Sequence, residues 1–238
     1  MQLDKILQSQ GIGSRKHCQQ LIRQGHVRID GQVIMDVKAK FETTDLTFSV
    51  FAQDYLYREQ VYIALNKPQN YECSHRPQQH LSVFDFFPDE LLARNIQTVG
   101  RLDQDTTGLL LFTDDGQFLH QLTHPRKHVS KYYVIETENE ITQTQIEKLA
   151  QGISLKNEKG VFAAHSITQL EAYKLRFAID QGVYHQVKRM LHAVDNEVIH
   201  LHRDQIGQLT LEQLDLAMGE WCYLLPEDVQ LLKQVEST

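Results

Sequence analysis

The apolar positions at the start of the chain fall into two helical faces and a hairpin. Leu3, Ile6 and Leu7 have the spacing of one helix face. Gly11-Ile12-Gly13 breaks that helix. Ser14 then suits the N-cap of a second helix, with Cys18, Leu21 and Ile22 as its apolar face. Gly25 sits where a C-cap belongs. Val27-Arg28-Ile29 and Gln32-Val33-Ile34 flank Asp30-Gly31, which predicts a tight hairpin. Residues 41–60 are polar and mixed, and read as the end of a small sheet plus a linker.

Farther along, strands and helices intermingle without a regular βαβ repeat, so the fold class is α+β. Val61-Tyr62-Ile63-Ala64-Leu65 reads as a strand stopped by Asn66-Lys67-Pro68. Lys67 itself reads as a turn residue near phosphate. Phe118 to Leu122 looks helical and ends before Pro125. Lys131 to Ile135 is a strand, residues 142–151 suit a short helix, and Leu170 to Ile179 contains another strand. Gly182 to Val194 starts as a turn and continues as a helix. Alternation sends Tyr132 and Tyr133 to opposite faces of their strand.

Charge changes the picture because it is unevenly placed. The net charge of the 238 residues is −7, which argues at first against nucleic acid. Residues 1–40, however, carry seven Lys/Arg against three Asp/Glu, and the remainder 17 against 28. A basic N-terminal module on an acidic body suggests an electrostatic anchor, with RNA contact on the body confined to a local basic cleft. No apolar run approaches the roughly 20 residues that span a bilayer. Three widely spaced cysteines (Cys18, Cys73, Cys222) without a C-x-x-C pair fit free thiols in the cytoplasm.

The densest chemistry lies in Gly100-Arg101-Leu102-Asp103-Gln104-Asp105-Thr106-Thr107-Gly108, followed by Leu109-Leu110-Leu111-Phe112-Thr113-Asp114-Asp115-Gly116. Asp103 sits between an arginine and two threonines in a polar loop that opens into an apolar strand. A carboxylate held beside a cation stays ionised and fixed in direction, which suits a nucleophile or a base. This run closely resembles the G-R-L-D-x-x-T-x-G-L-L-L-x-T-x-D-G signature of pseudouridine synthases, in the family typified by the ribosomal small-subunit synthase. Leu65-Asn66-Lys67-Pro68-Gln69-Asn70-Tyr71 resembles the N-K-P-x-G-Y opening of the synthase domain, with Asn70 in place of glycine. Lys131-Tyr132-Tyr133 resembles the K-x-Y strand, and Gly182-Val183-Tyr184-His185-Gln186-Val187-Lys188-Arg189-Met190 the G-x-x-H-Q-V-K-R-M motif. The pattern over residues 1–40 resembles the S4 RNA-binding module, with Gln2 in place of an arginine often found there.

The resemblance implies a small N-terminal S4 domain and linker over 1–58. A catalytic domain over 59–238 would then consist of two mixed or antiparallel-sheet subdomains around a central cleft. It implies isomerisation of a uridine in ribosomal RNA to pseudouridine without metal or cofactor, by a monomer. Asp103 is then the catalytic carboxylate, acting as nucleophile or as base in a glycal route. Tyr133 would stack on the target uracil. Lys188 would pair with Asp103, with Arg189 as the fallback. Arg101, Thr106 and Arg189 are candidate substrate contacts, and Asp105 a residue that bonds the loop backbone. Arg15, Lys16, Arg23 and Arg28 would meet RNA from the S4 module. The H-Q-V-K-R-M string implies the small-subunit subgroup, acting on uridine 516 of 16S rRNA, whereas relatives acting on 23S rRNA typically carry N-R-E-V-R-R.

Other readings fit less well. Asp103-Gln104-Asp105-Thr106-Thr107 matches the D-x-D-x-T string of magnesium phosphatases, but that loop should follow a buried strand early in a Rossmann-like domain. His120, His124 and His128 recur every four residues, yet Pro125 interrupts the helix that would align them. A non-catalytic S4 binder would have no need of Asp103.

Overall fold

The computed structural model describes residues 1–124 and 129–232. Among these the chain forms two compact units, Met1–Val61 with Phe87–Gln97, and Tyr62–Phe86 with the residues from Thr98 onward.

In the first unit, α1 (Leu3–Ser9) and α2 (Arg15–Arg23) pack their apolar faces together. The Ser14 hydroxyl caps α2 by accepting from the His17 N–H, and Gly25 leaves the helix at φ 73°. Strands β1 (Val27–Ile29), β2 (Gln32–Val33), β3 (Thr47–Val50) and β4 (Gln53–Leu56) form an antiparallel sheet in the order β2-β1-β3-β4. Asp30 and Gly31 are both left-handed, as a two-residue hairpin turn requires. Val27 and Ile29 from β1, with Phe48 and Val50 from β3, meet the two helices in one core. The stretch 41–60, expected to end a small sheet and continue as linker, holds the second half of this sheet, β3 and β4. Only Phe48 and Val50 anchor β3 inward, too few apolar positions for the pattern to stand out. The short helix α3 (Asp89–Ala93) belongs to the same unit. Tyr55 donates its hydroxyl to Glu90 at 3.0 Å, and Arg94 reaches the Arg58 carbonyl at 2.9 Å and the Gln10 side chain at 3.0 Å.

The second unit begins with β5 (Tyr62–Lys67) and the short parallel pair β6 (Tyr71–Glu72) and β7 (Leu81–Ser82). After β8 (Gln97–Thr98) come β9 (Thr107–Thr113), α4 (Gly116–Thr123), β10 (Lys131–Thr137) and α5 (Gln143–Gln151). Strands β11 (His165–Glu171) and β12 (Lys174–Ile179), α6 (Gln186–His192) and β13 (Val198–Ile206) follow. The chain then adds β14 (Leu209–Thr210), α7 (Leu211–Leu214), β15 (Trp221–Tyr223) and α8 (Pro226–Leu231).

The main sheet runs β11-β12-β10-β13-β9-β5-β15, with β14 beside β13, and the fold is α+β. Its pairs are antiparallel except β9 with β13, which run parallel through only two partners, His202 with Thr107 and Arg203 with Gly108. Strand β9 is nearly all apolar because it is covered on both faces. Leu109 and Leu111 enter a core with Phe118, Leu122, Ile206 and Leu209. The loop before β9 therefore emerges beside β13, which separates it from β10.

Candidate active site

Two glycines set the ends of the Asp103 loop. Gly100 adopts φ 77° and Gly108 φ 107°, both in the left-handed range that favours glycine. Gly108 lies against β13 so closely that a Cβ there would collide with the Arg203 carbonyl oxygen. Its partner in β5 is Lys67, so the end of β5 runs directly under the loop.

Lys67 is the clamp of this loop. Its side chain is 0% exposed, and its ammonium donates to the carbonyl oxygens of Asp103 (3.0 Å), Gln104 (3.3 Å), Thr106 (2.9 Å) and Pro68 (3.0 Å). Three protons face four acceptors, so sharing is required. The Asn70 N–H adds a bond to the Gln104 carbonyl at 2.8 Å, and the Gln69 amide one to the Asp105 carbonyl at 3.4 Å. The four consecutive carbonyls 103–106 are thus all held by the 67–70 turn. Asn70 keeps that turn at φ 67°, a conformation asparagine tolerates better than most residues. Reading Lys67 as a turn residue near phosphate is corrected: a fully buried ammonium bonded to protein carbonyls has no face left for phosphate. Burial pulls its pKa down to about 8, against the opposing pull of nearby acidic groups. Cys73 backs the loop from another side, its sulfur 3.4 Å from both the N and the O of Leu102.

The loop's carboxylates meet α6. Lys188 Nζ lies 2.7 and 2.8 Å from the two oxygens of Asp105 and 3.4 Å from Asp103 Oδ2. His185 Nε2 approaches Asp103 Oδ1 at 3.4 Å. Asp103 therefore stands between an ammonium and an imidazole, while Asp105 takes the shorter lysine contacts. Asp105 was expected to bond its own loop; its side chain instead shares Lys188 with Asp103. Partial burial works to raise the Asp105 carboxyl, but the Lys188 hydrogen bond and charge outweigh it and hold the group below the usual carboxylate value.

Tyr133 reaches this site because β10 places it opposite Phe177 of β12 and Arg203 of β13. It lines a cleft of about 80 Å³ with Asp103, Ile179, His185, Lys188 and Leu201. An adjoining cavity of about 610 Å³ shares Arg101, Tyr133, Gly182 and Val183 with that cleft. Tyr132 packs on the other face, under the Arg176 guanidinium at 4.7 Å.

The remaining candidates divide. Arg101 is exposed at the cleft and makes no side-chain hydrogen bond among the described residues. Thr106 as a substrate contact is corrected: it is 1% exposed, lying just before β9 with its carbonyl held by Lys67. Arg189 turns away from Asp103, donating to Glu158 at 3.0 Å, to the Tyr184 carbonyl at 3.1 Å and to the Lys156 carbonyl. In the first unit Arg15 is paired with Asp4 at 3.0 Å, and Arg28 bonds the Gly31 carbonyl at 3.2 Å. Lys16 and Arg23 are exposed on α2.

His185 and Lys67 take places in this candidate site that the sequence reading had not given them. His185 stood in the quoted H-Q-V-K-R-M string, which was its only signal. His202 Nδ1 lies 2.8 Å from the Thr107 hydroxyl. His128 lies outside the described residues, and the rings of His120 and His124 are 4.8 Å apart. Among the described residues, no three His, Cys, Asp or Glu side chains group as metal ligands.

Comparison with known proteins agrees with this geometry. Residues 61–193 match the RNA pseudouridylate synthase family, and residues 1–46 match the S4 domain. A ribosomal small subunit pseudouridine synthase A from Yersinia pestis is 40% identical over 230 residues, covering 96% of this chain and 97% of its own. Its counterpart in Escherichia coli K12 is 39% identical over 232 residues, covering 96% and 98%. An uncharacterized RNA pseudouridine synthase, YtzG, from Bacillus subtilis is 34% identical over 240 residues, covering all of both chains. A crystal structure of a pseudouridylate synthase superposes with a TM-score of 0.68 at 32% identity, over 98% of this chain and 99% of that one. With the matched segment enclosing Lys67, Asp103, Tyr133 and Lys188, the chain belongs to the RNA pseudouridylate synthase family and carries an S4 domain at its N-terminus.

Proposed function

We propose that this protein isomerises one uridine of 16S ribosomal RNA, uridine 516, with Asp103 as the reacting carboxylate. The reaction breaks an N-glycosidic bond, rotates the uracil and rejoins it through carbon. The observation that carries the reading is the meeting of Asp103, Tyr133 and Lys188, from three separate motifs, around one cleft. Lys188 and His185 hold the carboxylate in place, and the 67–70 turn holds the backbone beneath it. Tyr133 supplies the ring on which the extruded uracil stacks. Arg101, exposed at the mouth, takes a phosphate near the target. Lys16 and Arg23 of the S4 domain anchor the RNA. The H-Q-V-K-R-M string and the names of the Yersinia and Escherichia relatives support the small-subunit target. The free thiols of Cys18, Cys73 and Cys222 suit action in the cytoplasm.

Site-resolved mapping of pseudouridine tests this. Unmodified 16S and 23S transcripts and a partly assembled small subunit would be incubated with wild type, Asp103→Asn and Asp105→Asn. One new site in 16S is expected, lost in Asp103→Asn with a rate at least about 10²-fold lower and retained in Asp105→Asn. Loss in Asp105→Asn alone would move the reacting carboxylate two residues along. A site in 23S would overturn the target.

A further inference from the structure

Tyr184 is exposed in an unusual way. It presents 74% of its surface to solvent, yet its ring is not loose: it stacks on His185 with centroids 3.8 Å apart and planes at 18°. His185 is itself 3.4 Å from the Asp103 carboxylate, so an open aromatic face stands one ring away from the proposed reacting group.

The backbone beneath the pair is braced at several points. Arg189 donates to the Tyr184 carbonyl at 3.1 Å and is tied to Glu158 at 3.0 Å. The Arg189 N–H bonds the His185 carbonyl at 2.9 Å, and the Gln186 N–H the Val183 carbonyl at 3.1 Å. The Gln186 side chain returns to the Val183 N–H at 3.2 Å. His185 holds φ 51°, a left-handed conformation that costs a side-chain-bearing residue free energy. A loop strained and braced to show one tyrosine face to solvent, beside a site that acts on an extruded base, is built to receive another ring.

We propose that the Tyr184–His185 stack is a platform for the RNA base adjoining the target uridine, stacking that base on the outer face of Tyr184 while the target enters the Asp103 cleft. Removing a base from its stack exposes the face of its neighbour, and a fixed aromatic ring restores the lost stacking. The interaction reads a π-face rather than hydrogen-bonding edges, so it tolerates different bases at that position and contributes to binding more than to the chemical step. The inference rests on the reading of Asp103 as the reacting carboxylate of an RNA synthase.

The test uses the full-length enzyme and a short 16S rRNA fragment spanning uridine 516. 2-Aminopurine is placed in turn at the nucleotides before and after the target, and its fluorescence is followed on binding. With unmutated enzyme, one flanking position is expected to be quenched as it stacks. Tyr184→Phe should keep that quenching, and Tyr184→Leu, similar in bulk but without a ring, should lose it. KM for the RNA should rise about 5- to 150-fold in the leucine variant, the range that loss of one stacked base predicts, with kcat little changed. Thermal unfolding of each variant separates lost stacking from lost folding, and the scan on unmutated enzyme does not depend on a variant. Equal behaviour of the leucine and phenylalanine variants would overturn the platform, as would quenching at neither flank. Failure of the underlying reading shows separately, as turnover that survives Asp103→Asn.

Discussion

Lys67 carries its charge where lysine is almost never found, and the reason is its partners. Carbonyl oxygens from four residues surround the ammonium, three of them from the loop that presents Asp103. A neutral amine has only two protons to offer the same acceptors, so losing one loosens the loop. The synthase rate should therefore fall as pH rises through about 8, the value to which burial lowers this group. Stability runs the other way. The unfolded lysine titrates near 10.5, so between about 8 and 10.5 the unfolded chain binds the extra proton. This residue's contribution to stability thus grows across that window and is least below it. Lys131, pulled down to about 8 by burial and by the Arg203 charge, shares the window with the same sign. Lys67→Met assigns the limb: the rate should drop about 10²-fold through misplacement of the loop, and the remaining activity should be flat above pH 8. An alkaline limb that persists in this variant would not belong to Lys67. Nothing in the local sequence marked Lys67 as buried, because lysine next to proline reads as a surface turn.

At the scale of elements, the site depends on how closely β9 approaches β13. The parallel contact spans two residue pairs, and Gly108 is the residue that lets the backbones meet. Gly108→Ala would need a left-handed conformation at φ 107° and would collide with the Arg203 carbonyl. We expect a loss of about 2–4 kcal/mol, read as a lowered Tm, with activity impaired even where the protein remains folded. Alanine at Gly100, where a Cβ would meet open space, carries only the backbone cost and should be milder, about 1 kcal/mol. Both glycines were legible in the sequence as brackets of the loop. Which one packs against another strand was not, since Arg203 lies far along the chain and the contact exists only once the sheet has closed. The hairpin at Asp30-Gly31 and the Ser14 cap were legible because each is decided by neighbours in sequence.

For the whole molecule, charge is divided between a basic N-terminal stretch and an acidic remainder. Arg15 and Arg28 are engaged by Asp4 and by the Gly31 carbonyl, while Lys16 and Arg23 stand exposed on α2. Removing residues 1–58 would strip α3 of partners within its own unit, among them Tyr55, Gln10 and Arg58. Neutralising two side chains in the full chain is the cleaner experiment. Lys16→Gln with Arg23→Gln should weaken RNA binding and reduce the slope of log K against log salt by about 1.4–1.8, the loss of two phosphate contacts. The single-turnover rate at saturating RNA should hold. An unchanged slope would remove α2 from the RNA interface.

The sequence by itself determined the α+β class, the paired N-terminal helices and hairpin, and the segments that carry the site. Those features rest on local periodicity, on caps and turns set by neighbouring residues, and on motif strings long enough to be recognised. Only the tertiary structure decided how Lys188 divides itself between Asp103 and Asp105, that Arg189 braces Tyr184 instead of the carboxylate, and that Thr106 is buried. It also turned Lys67 from a surface turn residue into the clamp of the Asp103 loop. Each of these depends on which of several like groups comes within about 3 Å of another, and that distance is set by strand pairing and packing between residues far apart in the chain.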